Sequence, residues 1–195
     1  MSTLVNMEEP AYRAMADFEQ SVAQTLDFEA TVHFYGPKIF RFALASLRDH
    51  DDAETVTQDC FLRAFKAQAT FRQECSMQTW LMQIAVNLVR DRLRNRRLQF
   101  WKRTKAIESP VDMLPERASA GSSPEKAAVL KQQLESVWKA AAVLPERQRT
   151  VFLLRFVEDM DILEIAAATG MKEGTVKTHL FRALHSVRER LGQLL

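Results

Sequence analysis

Five polar residues of this 195-residue chain, Gln83, Asn87, Arg90, Arg94 and Arg97, recur at i, i+4, i+7, i+11 and i+14. On a helix of about 3.6 residues per turn, that spacing puts two amides and three guanidinium groups on one continuous face. Amides hydrogen-bond base edges and Arg forks grip phosphates, so such a face can read and hold a nucleic-acid strand. A second set lies near the C-terminus. Lys177, Thr178, Phe181, Arg182, His185 and Arg188 fall opposite the apolar stripe Val176, Leu180, Ala183, Leu184, Val187 and Leu191. A Phe among cationic and hydroxyl groups needs a cover, because burying it is worth about 1.5–3 kcal/mol. In a major groove Phe181 would meet a thymine methyl, Arg182 would fork onto a guanine edge and Lys177 would neutralise phosphate. Packing of Phe181 on a neighbouring helix or a partner protein is the alternative. His179, at the edge of the stripe, fits a structural or phosphate-facing role better than a metal-binding one.

Charge supports the first set. The net charge is only +2, yet residues 87 to 105 hold six Arg and two Lys against the single acid Asp91. The block is +7 and the rest of the chain −5, a concentration typical of polyanion binding, although a solvated charged helix has the same composition. Catalytic chemistry finds no support. There is no phosphate-cradling Gly loop, no nucleophile with a base, and His33, His50, His179 and His185 have no ligand spacing with carboxylates, so neither metal nor cofactor is expected.

The elements that must position these groups are helical. A hydrophobic content of 47% suits a globular chain, and 5 Gly with 6 Pro supply too few turns for a many-stranded sheet, so the fold class is all-α. Cys60 and Cys75 lack zinc-finger partners and cannot frame a disulfide fold. The start MSTLVNMEEPAYR is acidic where a secretory signal is basic, and no apolar run approaches the roughly 18 residues of a membrane span. A cytoplasmic protein without membrane insertion is the expectation.

Residues 104 to 124, TKAIESPVDMLPERASAGSSP, contain three of the six prolines, four Ser and a Gly, which reads as a linker. The chain is accordingly divided into an acidic helical extension over 1–27, a first domain over 28–100, a flexible linker over 101–124 and a second domain over 125–195. Met15, Phe18, Val22 and Leu26 give the extension an amphipathic helix, expected to pack on the first domain. In the second domain Ser123, Pro124 and Glu125 signal a helix start. Pro145 restarts a helix that carries Val151, Phe152, Leu154 and Phe156 inward. Asp161 and Glu164 form a capping-box pattern, Gly170 stops the short helix, and a longer one runs from Glu173 to Leu191. Short helix, Gly-containing turn and longer helix make a helix-turn-helix. Upstream, Leu81, Met82, Ala85, Leu88, Val89 and Leu93 form the core side of a helix over 79–97. The short-sided stretch FRQECSMQTW before it could receive an unstacked base, or simply connect two helices.

With both faces in view, the chain resembles the extracytoplasmic-function (ECF) family of RNA polymerase sigma factors. Four ordered stretches carry the resemblance: DDAETVTQDCFLRAF (51–65), FRQECSMQTWLMQIAVNLVRDRLRNRR (71–97), LPERQRTVFLLRF (144–156) and DILEIAAATGMKEGTVKTHLFRAL (161–184). The resemblance implies a sigma region 2-like bundle and a region 4-like helix-turn-helix domain on a flexible tether. It also implies a non-enzymatic transcription initiation factor that binds core RNA polymerase, directs it to promoters and helps melt the DNA.

Carried over by position, the resemblance assigns Glu54, Gln58 and Asp59 to docking on the clamp helices of the largest polymerase subunit, with Thr55 where the family usually has an acid. Glu74, Cys75, Ser76, Met77, Gln78 and Thr79 match the loop that pockets a flipped base of the minus-ten element, and Asn87 the family asparagine beside it. Gln83, Arg90, Arg94 and Arg97 continue that surface on the reading of the stripe itself. Gln73 stands for a usual glycine and Cys75 for a small polar residue. Lys177, Thr178, His179, Phe181 and Arg182 match the helix that reads the minus-thirty-five element. His179 stands for a common arginine, which implies a phosphate grip sensitive to pH near histidine titration. An anti-sigma factor is the implied regulatory partner, and the domains could also fold onto each other and mask both basic surfaces. Two other readings of the residues stay open at this point, a conventional helix-turn-helix regulator with a sensing or dimerisation domain and a helical adaptor that never touches nucleic acid.

Overall fold

The computed structural model describes residues 9–68, 71, 74–102 and 134–192, and side chains at 28–68, 71, 74–98 and 134–192. Residues 101 and 102, given to the linker, form the end of a helix, while the rest of the linker and the Ser123 to Glu125 helix start lie outside the described residues, as do the side chains of the amphipathic stripe at 15–26. All regular structure among the described residues is helical. In chain order it comprises α1 (Glu9–Leu47), α2 (His50–Ala67), α3 (Met77–Lys102), a helix over 134–142 (α4), α5 (Glu146–Phe156), α6 (Ile162–Thr169) and α7 (Glu173–Gly192). The chain divides into two compact units, Met1–Pro37 and Lys38–Leu195. In the first, the backbone is helical from Glu9, and Phe34 and Tyr35 meet edge to face with centroids 4.9 Å apart.

The second unit is built around two apolar clusters. In the upstream one, Ile39, Phe42 and Ala43 of α1, Val56 and Cys60 of α2, and Leu81, Met82, Ala85 and Val89 of α3 are buried. Each large side chain so buried contributes on the order of 1.5–3 kcal/mol. The α1–α2 corner is sharp. Arg48 adopts φ 57°, an uncommon left-handed conformation for a side chain with a Cβ, and the Asp49 carboxylate caps α2 by accepting from Asp52 N at 2.9 Å. Arg96 of α3 holds that corner from outside, donating to Leu47 O at 2.9 Å and pairing with Asp49 at 2.8 Å and with Asp52.

In the downstream cluster α5 packs on both α6 and α7, and α6 on α7. Val151, Phe152, Leu153 and Leu154 are all buried, since α5 has neighbours on several sides. Phe156 departs from the expectation that it points inward. It is the last residue of α5, where the helix runs out, and it is 52% exposed with its ring resting on Phe152 at 4.9 Å. The capping box forms as the sequence indicates: Asp161 Oδ1 accepts from Glu164 N at 2.8 Å and Glu164 Oε2 accepts from Asp161 N at 2.9 Å. Gly170 takes φ 69° and its N–H donates to Ala166 O at 2.9 Å, ending α6 in the left-handed conformation that glycine adopts without strain. Three residues later α7 begins, which completes the helix-turn-helix. Within the same unit α3 also packs against α6, so the two clusters share a boundary.

Candidate nucleic-acid interface

The upstream face follows from the start of α3. Ser76 precedes the helix, and its hydroxyl accepts from Thr79 N at 3.1 Å, a serine N-cap. Met77, Gln78 and Thr79 therefore lie in the first helical turn rather than in the loop, which leaves Glu74 to Ser76 as the connection. Thr79 is buried, whereas Glu74 and Ser76 are exposed and Cys75, Met77 and Gln78 half-buried. Phe71 and Trp80 stack with centroids 4.5 Å apart and close the base of this connection. Sequence reasoning missed the Ser76 cap, although Ser before an apolar-periodic run is the signal that marks one.

From there Gln83, Asn87, Arg90, Arg94 and Arg97 are all exposed, on the side of α3 opposite Leu81, Met82, Ala85 and Val89. Arg94 pairs with Asp91 at 3.0 Å in solvent, and Arg90 donates to Asn87 Oδ1 at 3.4 Å. Arg92 and Arg96 of the same basic block serve the fold instead, both reaching Asp52 of α2. Composition could not separate these two uses of arginine.

On α2, Glu54 and Gln58 are exposed and Asp59 is half-buried, one to two turns apart along the helix. Exposed Leu62 lies one further turn along. His50 approaches Glu54 at 3.7 Å.

The downstream face is α7. Val176, Ala183 and Val187 are buried, while Lys177, Thr178, Phe181, Arg182, His185 and Arg188 are exposed. Phe181 is 72% exposed, so no helix among the described residues covers it. Its ring lies nearly parallel to that of His185, whose Nε2 is 3.2 Å from Glu189. Thr178 turns its hydroxyl back onto Gly174 O at 2.8 Å, which spends its donor on the helix and leaves its oxygen lone pairs outward. His179 is only half-buried, but its Nδ1 is sequestered without a hydrogen-bond partner. Burial, with the charges of Arg147 and Arg182, holds its pKa below that of a free imidazole. The lowered pKa favours the neutral imidazole, against the pH-sensitive phosphate grip that the family's arginine position implies.

Several groups of the upstream face meet the downstream cluster. Gln78 Nε2 donates to Glu158 O at 2.8 Å, Ser76 and Thr79 hydroxyls each lie 3.4 Å from Glu164 Oε1, Arg90 Nη2 lies 3.4 Å from Thr169 O, and Arg97 pairs with Glu146 at 3.3 Å. Arg41 of α1 forks onto Glu158, with Nε to Oε1 at 3.0 Å and Nη2 to Oε2 at 2.8 Å. Arg149 stands near this seam and donates to Ala142 O at 3.0 Å; burial and the nearby Arg48 and Arg97 lower its pKa against the opposing pull of Glu146. No group of three or more His, Cys, Asp or Glu side chains able to hold a metal occurs among the described residues.

Two family models match the chain: Sigma-70 region 2 over residues 31–99 and Sigma-70, region 4 over residues 134–186. The RNA polymerase sigma-E factor of Streptomyces coelicolor is 30% identical over 87% of this chain and 89% of its own length. The ECF RNA polymerase sigma factor SigW of Bacillus subtilis is 27% identical over 86% of this chain and 90% of its own. Among solved structures, the sigma factor RpoE in complex with the anti-sigma factor NepR from Bartonella quintana matches with a TM-score of 0.70 and 25% identity, over 85% of this chain and 97% of that one.

Proposed function

This chain belongs to the extracytoplasmic-function family of RNA polymerase sigma factors, and from that premise we propose how its residues divide the work of transcription initiation. Docking falls to Glu54, Gln58 and Asp59 on α2, facing the clamp helices of the polymerase largest subunit. The minus-ten element is met by Glu74 to Thr79 together with Gln83, Asn87, Arg90, Arg94 and Arg97. The minus-thirty-five duplex is met by Lys177, Thr178, His179, Phe181 and Arg182 on α7. We draw the functional domains at 28–100 and 125–195, with the tether over 101–124 and the extension over 1–27.

The observation that carries this reading is Phe181, a large apolar ring left 72% exposed on the second helix of a helix-turn-helix, beside Lys177 and Arg182. In the major groove it gains a thymine methyl and loses its contact with water. Neutral His179 fits beside it as a hydrogen-bonding group rather than a phosphate clamp. Upstream, unstacking a base costs a few kcal/mol, and a shaped pocket returns part of that at the correct base, which couples melting to recognition. A Pro- and Ser-rich tether suits two faces that must reach separated elements. The chain acts by binding, with no cofactor, in the compartment where the polymerase works, and we place it in the cytoplasm. No helix among the described residues is long and apolar enough to cross a membrane. RpoE was solved with an anti-sigma factor, which supports an inhibitor of that kind for this chain.

Run-off transcription with purified core polymerase on genomic fragments tests recruitment and promoter choice together. Start-site-specific transcripts that need Gln58 and Asp59 are expected. Unchanged core binding by the double Gln58→Ala, Asp59→Ala variant in a pull-down would overturn the docking assignment.

A further inference from the structure

The outer side of α2 is organised about a line that the polar docking residues flank. Thr55 and Leu62 are seven residues apart, just under two helical turns, so they project in nearly the same direction, opposite the buried Ala53, Cys60 and Ala64. Gln58 and Asp59, three and four residues after Thr55, fall one on each side of that line, with Glu54 on the Gln58 side. Three and four residues after Leu62, Phe65 and Lys66 take up the same two sides, and both are exposed. Leu62 is 53% exposed and Phe65 46%. The Thr55 hydroxyl donates to Asp51 O at 2.8 Å, so what this side chain adds to the outer surface is its methyl group. An acid at that position, the usual family residue, would place a charge in the middle of the line. Here the middle is apolar and the charges stand at the edges, which is the anatomy of a protein-binding patch rather than of a single leucine left in water.

We propose that Leu62 is the anchor of polymerase docking in this chain: the Thr55 and Leu62 ridge seats in an apolar groove of the clamp helices, and Glu54, Gln58 and Asp59 form the rim that orients it. The proposal rests on the reading of α2 as the docking surface and names what drives the contact there. A rim charge acts mainly on encounter and register, and its reach of about 10 Å at 0.1 M salt shortens as salt rises. A leucine at the centre acts by leaving water, which salt does not screen. With Thr55 in place of an acid, the chain has given up charge at the centre of the face and kept the apolar contact, so its hold on the polymerase should depend on Leu62 more than on any one carboxylate.

The affinity of the full chain, labelled at its N-terminus, for purified core polymerase tests this at about 0.1 M and about 0.5 M salt. Leu62→Ala is expected to weaken binding about tenfold at both, Leu62→Met to recover most of that loss, and Asp59→Ala to show a loss that fades at the higher salt. Leu62 is exposed, so the thermal melting of Leu62→Ala should match that of the parent, which excludes a folding cause. A loss below about twofold in Leu62→Ala, with binding still dependent on Gln58 and Asp59, overturns the anchor and leaves the docking surface standing. A Leu62→Ala loss that fades with salt, as for Asp59→Ala, overturns it as well. Binding unchanged both in Leu62→Ala and in the double Gln58→Ala, Asp59→Ala variant overturns the docking surface itself, and the anchor with it.

Discussion

Arg96 of α3 and Asp52 of α2 are ion-paired, and the same guanidinium also reaches Asp49 and the Leu47 carbonyl. One side chain thus ties α3 to the left-handed corner at Arg48 and to the cap of α2. Arg96→Ala should destabilise the upstream cluster by about 1–2 kcal/mol, because it strips several charge-assisted bonds at once. Arg94→Ala, which loses one exposed partner, should stay within about 0.5 kcal/mol. Urea denaturation of the two variants checks the contrast, and equal losses would refute the division of the basic block.

That division marks where sequence reading stopped. Apolar periodicity located α3 and α7 and their buried faces, and local chemistry at Asp161, Glu164 and Gly170 bounded α6, because a cap and a left-handed stop are decided by a few neighbouring residues. Contacts distant in sequence left no such trace. Helical spacing sets Arg90, Arg94 and Arg97 on one stripe apart from Arg92 and Arg96, but nothing in it says that the latter two brace α2, and nothing pairs Arg41 with Glu158, 117 residues away. Phe156 misled for a related reason, since periodicity does not say where the helix itself runs out.

The two cysteines should differ sharply in reactivity. Cys60 is buried beside the Leu81 carbonyl, and burial pushes its thiol up to about 12 against a small opposing effect of Arg63. Cys75 is half-buried in the connection before α3. At pH 8 the folded chain should take up one maleimide, on Cys75, and a second only in denaturant, since thiolate is the nucleophile. The linkage has a sign: an unfolded thiol ionises from about pH 9, so Cys60 favours unfolding progressively between there and about pH 12. Mass spectrometry of labelled peptides decides the first point. Rapid native labelling of Cys60 would contradict its burial.

Base reading and phosphate binding should separate by position. Arg182→Ala should cost about 1–3 kcal/mol at one base pair of the minus-thirty-five element and relax preference there. Arg94→Ala or Arg97→Ala should weaken binding across all sequences and reduce the salt slope by roughly one counterion. Competition binding against every single-base variant of a selected promoter, repeated at three salt concentrations, tells the two patterns apart. Uniform loss in Arg182→Ala would reassign that residue to phosphate.

His179 should behave as a neutral residue wherever the chain works. Its pKa is lowered first by burial and then by Arg147 and Arg182, so the folded state resists the proton that an unfolded imidazole takes near pH 6.5. Below that pH the unfolded chain binds more protons, and the contribution of His179 to stability falls until the folded imidazole also titrates. His179→Gln, which cannot titrate, should therefore lose less thermal stability than the parent between pH 7.5 and 5.5. Duplex binding should stay flat from pH 7 to 8 in both proteins. A parent whose affinity rises as pH drops from 8 to 7 would show a charged His179 on phosphate, because protonating a free imidazole strengthens its attraction to DNA in that range. Melting curves and anisotropy titrations on the same two proteins settle both halves of the argument.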